Sequence, residues 1–326
     1  MLVSLIAAAF AAVSPTNFCI LSAEEQGTGL AIVKPDGQLL ARVEVGSWPH
    51  EVEVSPDGRT AYVSQFGITD YDSRIGTPGD HVSRIDLASA RETGRYRLPS
   101  ALRAPHGVKL RPSTDELFVN AEAGGDTMLV YDAGSRRLLR TFPLDKGSHN
   151  FVFSPNGRFV YVFAGTEGVA KYDALTGRRI AKQTFETPVR GLRVAPTGMI
   201  AAANKGEVTL LDADDLKVRQ RLPAPVASQL IYLEALPGGT IVAPSLVDNG
   251  VIWFERGKPA RLVPTGKGAL NVRLAPDGRL YVANVDDDHL TVLNTDGSII
   301  GQVGHGIAGP NGLAFGVCPL SSAERG

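Results

Sequence analysis

Cysteine is nearly absent. Two residues in 326, Cys19 and Cys318, are too few for a disulfide lattice, and a chain of this length buries enough surface to fold without one. No stretch approaches the roughly 20 consecutive apolar residues of a membrane-spanning helix. An excess of either charge is also missing: 33 Lys and Arg stand against 34 Asp and Glu, a formal net charge of −1. A nucleic-acid partner calls for a basic surplus and is set aside; pairs such as Arg136/Arg137 and Arg178/Arg179 read as solvated turn residues. The chain has no GxSxG elbow, no GxxxxGK[ST] loop, no HExxH and no CxxC. Those absences remove the usual local signatures of serine hydrolases, nucleotide phosphate sites, zinc peptidases and dithiol chemistry.

The N-terminal segment, residues 1–13, is apolar and rich in small residues, with Ala9-Phe10-Ala11 as a small-x-small cleavage pattern. It reads as a short secretory signal, which predicts a periplasmic or secreted protein. The first basic residue is Lys34, so the positive start of such a signal is missing and a buried apolar segment is the alternative. Asn17-Phe18-Cys19 is not a lipobox, and no lipid anchor is expected.

What the chain has in quantity is glycine, 36, and proline, 21, and they are not scattered. A unit of strand, Pro-x-Gly type turn and strand recurs as VEVSPDGRTAYVS at Val52, VKLRPSTDELFVN at Val108 and FVFSPNGRFVYVF at Phe151. It returns as LRVAPTGMIAAAN at Leu192, LEALPGGTIVAPS at Leu233 and VRLAPDGRLYVAN at Val272. The turn prolines, Pro56, Pro112, Pro155, Pro196, Pro237 and Pro276, are spaced by 56, 43, 41, 41 and 39 residues. A third strand follows each, ending in pairs such as Tyr131-Asp132 and Tyr172-Asp173, and then a fourth, with no amphipathic helix periodicity anywhere. Four short strands every 40 or so residues predict an all-β, seven-bladed β-propeller with four antiparallel strands per blade.

Residues 17–46 supply three strands and Asn311–Val317 the fourth, so one blade is shared between the termini, closing the ring and hiding its edges. The expected organisation is a single propeller over residues 17–318 and a tail at 319–326. Closure puts Cys19 and Cys318 on neighbouring strands, where a disulfide or two unrelated buried thiols are both open.

The units SPDGRTAYVS, SPNGRFVYVF and APDGRLYVAN closely resemble those of the YVTN-type seven-bladed propellers, a group similar in turn to the bacterial lactonase-type propellers. The segment SRIGTPGDHVSRID from Ser73 is similar to first-blade loops of exported YVTN members. The resemblance implies the fold and leaves function open, because propellers carry many chemistries. With two tryptophans the chain lacks the recurrent tryptophan of quinoprotein propellers. The acid and amide ring of gluconolactonase-type calcium sites is not reproduced either.

Six residues before each turn proline, at the start of the innermost strand, stand His50, His106, His149, Arg190, Ile231 and Leu270, with Asn311 completing the ring. Three of the six histidines thus share one register in consecutive blades. They are expected at the channel mouth, where imidazoles suit a divalent Zn, Mn or Cu ion and three of them leave an open coordination position. Without metal, the same histidines offer a general base beside Arg190 for a carboxylate or oxyanion. His50, His106, His149 and Arg190 are therefore the candidate catalytic residues, and the histidines the candidate metal ligands. Ile231, Leu270, Asn311, Glu122 and Tyr71 are candidate ligand contacts, Tyr71 as part of a lid formed by the long insertion 65–81. Glu24, Glu167, Asn204 and Asn284 are expected to approach the same face, and His305 to precede the last inner strand. The expected function is a lyase or hydrolase acting on a small carboxylate- or lactone-like molecule as a monomer. The alternative is a non-catalytic propeller that binds a metal, a small ligand or a partner protein.

Overall fold

The computed structural model describes residues 14–69, 75–165, 167–225 and 228–320. The secretory-signal segment, most of the tail and the lid residues Tyr71 and Arg74 lie outside them.

Each Pro-x-Gly turn is built from local chemistry. In blade one, Asp57 Oδ1 accepts the Arg59 N–H (3.1 Å) and the Ser55 hydroxyl (2.5 Å), and Ser55 Oγ accepts the Thr60 N–H (2.9 Å). Gly58 takes the positive φ of 72° that closes the turn, a conformation glycine adopts without a Cβ penalty. The flanking apolar alternation then pairs as an antiparallel hairpin, Val54 opposite Ala61.

Seven four-stranded antiparallel sheets result, and no helix is found among the described residues. Blade one begins with inner strand Pro49–Val54, blade two with Arg103–Leu110, blade three with Asn150–Phe153 and blade four with Gly191–Val194. Blade five begins with Glu234–Ala235 and blade six with Ala269–Leu274. The shared blade orders Pro310–Gly316, Cys19–Glu24, Gly29–Val33 and Leu39–Glu44 from the axis outward.

Second and third strands are buried on both faces, as in Leu280–Asn284 and His289–Leu293, because each blade is sandwiched between two neighbours. Outer strands are half exposed, as in Arg91–Arg97. Between blades one and two the cores interlock through tyrosines. Tyr96 OH donates to the Ala133 carbonyl (2.5 Å), Tyr131 OH donates to that of Arg97 (2.9 Å), and their rings stand 5.6 Å apart, edge to face.

The ring is closed twice at the shared blade. Cys19 pairs with Gly316 in the ladder, and Cys19 and Cys318 form a disulfide across 299 residues of sequence, with Cα atoms 5.0 Å apart. Because that bond restrains almost the whole unfolded chain, Cys318→Ser is expected to lower unfolding free energy by about 2–5 kcal/mol. Chemical denaturation of oxidised protein measures this. An unchanged midpoint would contradict a closing role, as would two titratable thiols in the native protein.

Candidate functional site

The inner strands of blades one and two do not start regularly. Register shifts fall between Pro49 and Val52 and between Pro105 and Val108, and bulges of this kind re-aim side chains. Trp48 and Ala104, just ahead of the two Pro-His pairs, hold positive φ of 53° and 56°, a rare conformation for residues with a side chain. These distortions bring His50 and His106 toward His149, which precedes the regular inner strand of blade three. The ring centroids of His50 and His106 are 3.9 Å apart, those of His106 and His149 3.7 Å, and those of His50 and His149 6.2 Å. The imidazoles form a row with His106 in the middle. Phe66 stands edge-on to His50 and His106 at 5.5 and 5.0 Å, and Phe163 lies 5.6 Å from His149.

Each end of the row has a carboxylate. Glu122 Oε1 is 2.7 Å from His149 Nδ1, and Glu51 Oε1 is 3.9 Å from His50 Nδ1. In place of one centre held by three histidines, the donor atoms fall into two sets that share His106: His50, Glu51 and His106, and His106, Glu122 and His149.

Burial and charge act in opposite directions on His50 and His106. His106 is fully buried; burial, then the neighbouring His149 and His50, push its pKa well below 6.5 and leave it neutral. Apart from a backbone group of His149, its ring nitrogens find no hydrogen-bond partner among the described residues. Burial also disfavours the His50 cation, but Glu51, Glu25 and Glu122 outweigh it and raise the pKa. Glu51 is itself buried, yet His50, Lys109 and the Tyr232 hydroxyl, donating to Oε1 at 2.5 Å, bring its carboxyl down to about 2. The Tyr232 phenol stays protonated, because burial and then Glu51 raise its pKa well above 10.

Beneath the mouth the channel is charged. Three residues before the turn prolines stand Glu53, Lys109, Arg193, Glu234 and Arg273. Arg193 pairs with Glu234, and Arg273 lies 3.8 Å from the same carboxylate. Glu51, Lys109, Arg193 and Arg273 border a cavity of only about 30 Å³, room for a water rather than a substrate. A ligand larger than that has to sit on the mouth.

The sequence-derived candidates separate on inspection. Asn311 is fully buried, its Nδ2 2.9 Å from Glu25 Oε2 and 3.2 Å from both His50 ring nitrogens. Arg190 immediately precedes the inner strand of blade four, its N–H bonded to the Ala203 carbonyl. Ile231 is buried and Leu270 partly so. Glu24 is engaged by Arg42, and Glu167 by Lys182, so neither is free to serve the mouth. His81 and His289 bond instead to Asp80 and the Asp287 carbonyl, and the His305 ring lies 5.5 Å from that of His289. Glu51, Glu25 and Tyr232 were missed, because the register was read at one position per strand and their neighbours were passed over.

No family model matches the chain. Among curated proteins it is similar to Protein NirF of Pseudomonas aeruginosa, 29% identical over 193 residues, which cover 54% of this chain and 49% of that protein. It is also similar to the dihydro-heme d1 dehydrogenase of Pseudomonas aeruginosa, 29% identical over 174 residues, 48% of this chain and 35% of that protein. The chain thus spans about half or less of the length of these relatives. Among solved structures, hydrazine synthase of Kuenenia stuttgartiensis matches with a TM-score of 0.75 and 19% identity over 88% of this chain and 95% of that one. A protein of unknown function from Desulfotomaculum acetoxidans matches with a TM-score of 0.69 and 14% identity over 94% of this chain and 100% of that one. At these identities the structural matches show the propeller fold alone.

The opposed pKa shifts have a sign that can be checked. The paired His50 cation adds stability that is complete below pH 6.5 and is lost as pH rises through its higher folded value. Neutral His106 adds stability that is complete above 6.5 and is lost as pH falls toward its lower folded value. Histidine NMR titration is therefore expected to show His50 protonated above 6.5 and His106 still neutral below it, with Glu51→Gln lowering the His50 value. Ordinary titrations of both His50 and His106 near 6.5 would contradict this electrostatic reading.

Proposed function

We propose that the chain is a periplasmic or secreted propeller that binds a small metal-centred ligand on its channel mouth through the His50, His106 and His149 row. The observation that carries this is the packing of three imidazoles within 6.2 Å, with the central one buried, neutral and short of partners. A neutral imidazole is a good ligand for iron, zinc or copper, and a buried ring lacking partners favours whatever satisfies its lone pair. The small cavity beneath supports a ligand lying across the mouth, and the partial similarity to a dihydro-heme d1 dehydrogenase supports an iron tetrapyrrole as its class. Such a group would supply an iron centre for redox chemistry, and the imidazoles of His50, His106 and His149 would hold it. On the protein side, Glu51 and Glu122 orient His50 and His149, Asn311 fixes the His50 ring, and Arg190 is assigned to a ligand carboxylate. The disulfide supports an oxidising compartment.

A second reading has its own support. The cationic His50, ion-paired with Glu51, is a ready proton donor, and the His106, Glu122 and His149 set, which leaves His50 out, matches a zinc-type donor set with an open position. In this reading the protein holds a divalent Zn, Mn or Cu ion and acts as a lyase or lactonase-like hydrolase on a small carboxylate or lactone, with Arg190 stabilising negative charge.

One titration series separates the two. Purified protein is titrated with iron protoporphyrin IX, followed by its absorption spectrum, and separately with Zn²⁺, Mn²⁺ and Cu²⁺ by calorimetry. The first reading expects saturable porphyrin binding with an imidazole-type spectral shift, weakened about 10- to 100-fold by His→Ala at 50, 106 or 149. The second expects tight metal binding without porphyrin, together with turnover of a lactone and uronate panel that Arg190→Ala depresses. Unchanged porphyrin and metal affinities in all three histidine variants would reduce the row to channel lining.

A further inference from the structure

A second site is visible on comparing equivalent positions around the ring. Eight residues beyond the turn proline, in the second strand, asparagine occurs three times: Asn120 in blade two, Asn204 in blade four and Asn284 in blade six, the last two closing their strands. All three side chains are buried, so each amide needs partners. Asn120 Oδ1 accepts the Gly107 N–H (2.7 Å), freed from the ladder by the inner-strand bulge of that blade, and Nδ2 donates to the Ser148 carbonyl (3.2 Å). Asn284 Oδ1 accepts the Thr265 hydroxyl (3.1 Å), and Nδ2 donates to Thr291 Oγ1 (2.9 Å). Asn204 is 1% exposed, and its Oδ1 has no partner among the described residues.

Two local differences explain the orphaned group. The inner strand of blade four pairs regularly, Gly191 opposite Ala203, so no bulge releases an N–H toward Asn204 as in blade two. In blade six five residues, 265–269, separate Pro264 from Leu270, and they pack down on the asparagine. A Cβ on Gly266 would fall 2.7 Å from Asn284 Cγ. The corresponding loop of blade four has six residues, 184–189, between Gln183 and Arg190, and carries Phe185 and Glu186 where blade six has its glycine. What blade six fills with its own backbone, blade four leaves as a cavity of about 550 Å³ lined by Thr184, Phe185, Thr187, Asn204 and the Arg221–Glu207 ion pair.

We propose that this groove, between the loop that enters blade four and the strands of that blade, is a ligand site, separate from the histidine row, for a small uncharged polyol or monosaccharide. Its volume falls within the range of small-molecule sites. With Lys205 and Glu186 the lining holds two cations and two anions, a balance that favours an uncharged ligand over an ion. Phe185 offers an apolar face, and Thr184 and Thr187 offer hydroxyls. A ligand hydroxyl both donates and accepts, so it replaces the hydroxyl that Thr265 gives Asn284.

The test is saturation-transfer NMR and calorimetry on the full chain with glucose, galactose, N-acetylglucosamine and glycerol. Saturable binding of at least one is expected, weakened about tenfold in Asn204→Leu, the scale of one hydrogen bond to a buried amide. His106→Ala is expected to leave this binding unchanged, which keeps the outcome independent of the channel mouth. Asn204→Ser installs the residue blade five carries at this register, Ser245, and decides the matter if the leucine variant does not fold. Wild-type protein that binds none of the four, or binding in both Asn204 variants equal to wild type, would show that the groove holds water alone and overturn the proposal.

Discussion

Closure of the ring is the constraint on which everything else depends. A propeller blade has no core of its own; its two faces become buried only when a neighbour stands on each side. Seven blades satisfy that condition only if the last one is completed, and here Pro310–Gly316 pairs beside Cys19–Glu24 to complete it. Once the ring is closed, the inner strands of all seven blades line one channel. Residues more than fifty positions apart then share one small mouth, and the histidine row follows from that geometry.

The mouth and the channel below it form one electrostatic unit joined by Glu51. Its carboxylate faces His50 above, takes the Tyr232 hydroxyl from across the channel, and feels Lys109 below. Burying an ion pair is costly unless its remaining hydrogen-bonding capacity is met, and the Tyr232 bond meets part of it. The result is a cationic ring at one end of the row and a neutral ring in the middle, 3.9 Å apart. Two identical side chains at one register, His50 and His106, are driven toward opposite protonation states by what surrounds them.

Much of this was legible in the sequence, and for a physical reason. Turn chemistry and strand alternation are local, so the repeated Pro-x-Gly units gave blade number, strand order and the shared blade, and the common register singled out His50, His106 and His149. Closure put Cys19 and Cys318 on neighbouring strands and left a disulfide or two thiols open; the structure has the disulfide. What could not be read were features set by departures from the repeat. The bulges after Pro49 and Pro105 turn the imidazoles into a row with two carboxylate-bearing donor sets, and no residue type in the sequence announces them. The charged ring of Glu53, Lys109, Arg193, Glu234 and Arg273 was legible but needed the same alignment read three residues further along. Glu24 and Glu167 looked free because their partners, Arg42 and Lys182, come from outer strands.

The central claim is that the histidine row is a coordination site. Anomalous diffraction from crystals grown with Zn²⁺, or with an iron tetrapyrrole, tests it most directly. The account predicts an anomalous peak at the channel mouth at about 2.0–2.1 Å from an imidazole nitrogen of His50, His106 or His149. Peaks confined to other parts of the surface, with the row unchanged and bare, would contradict it.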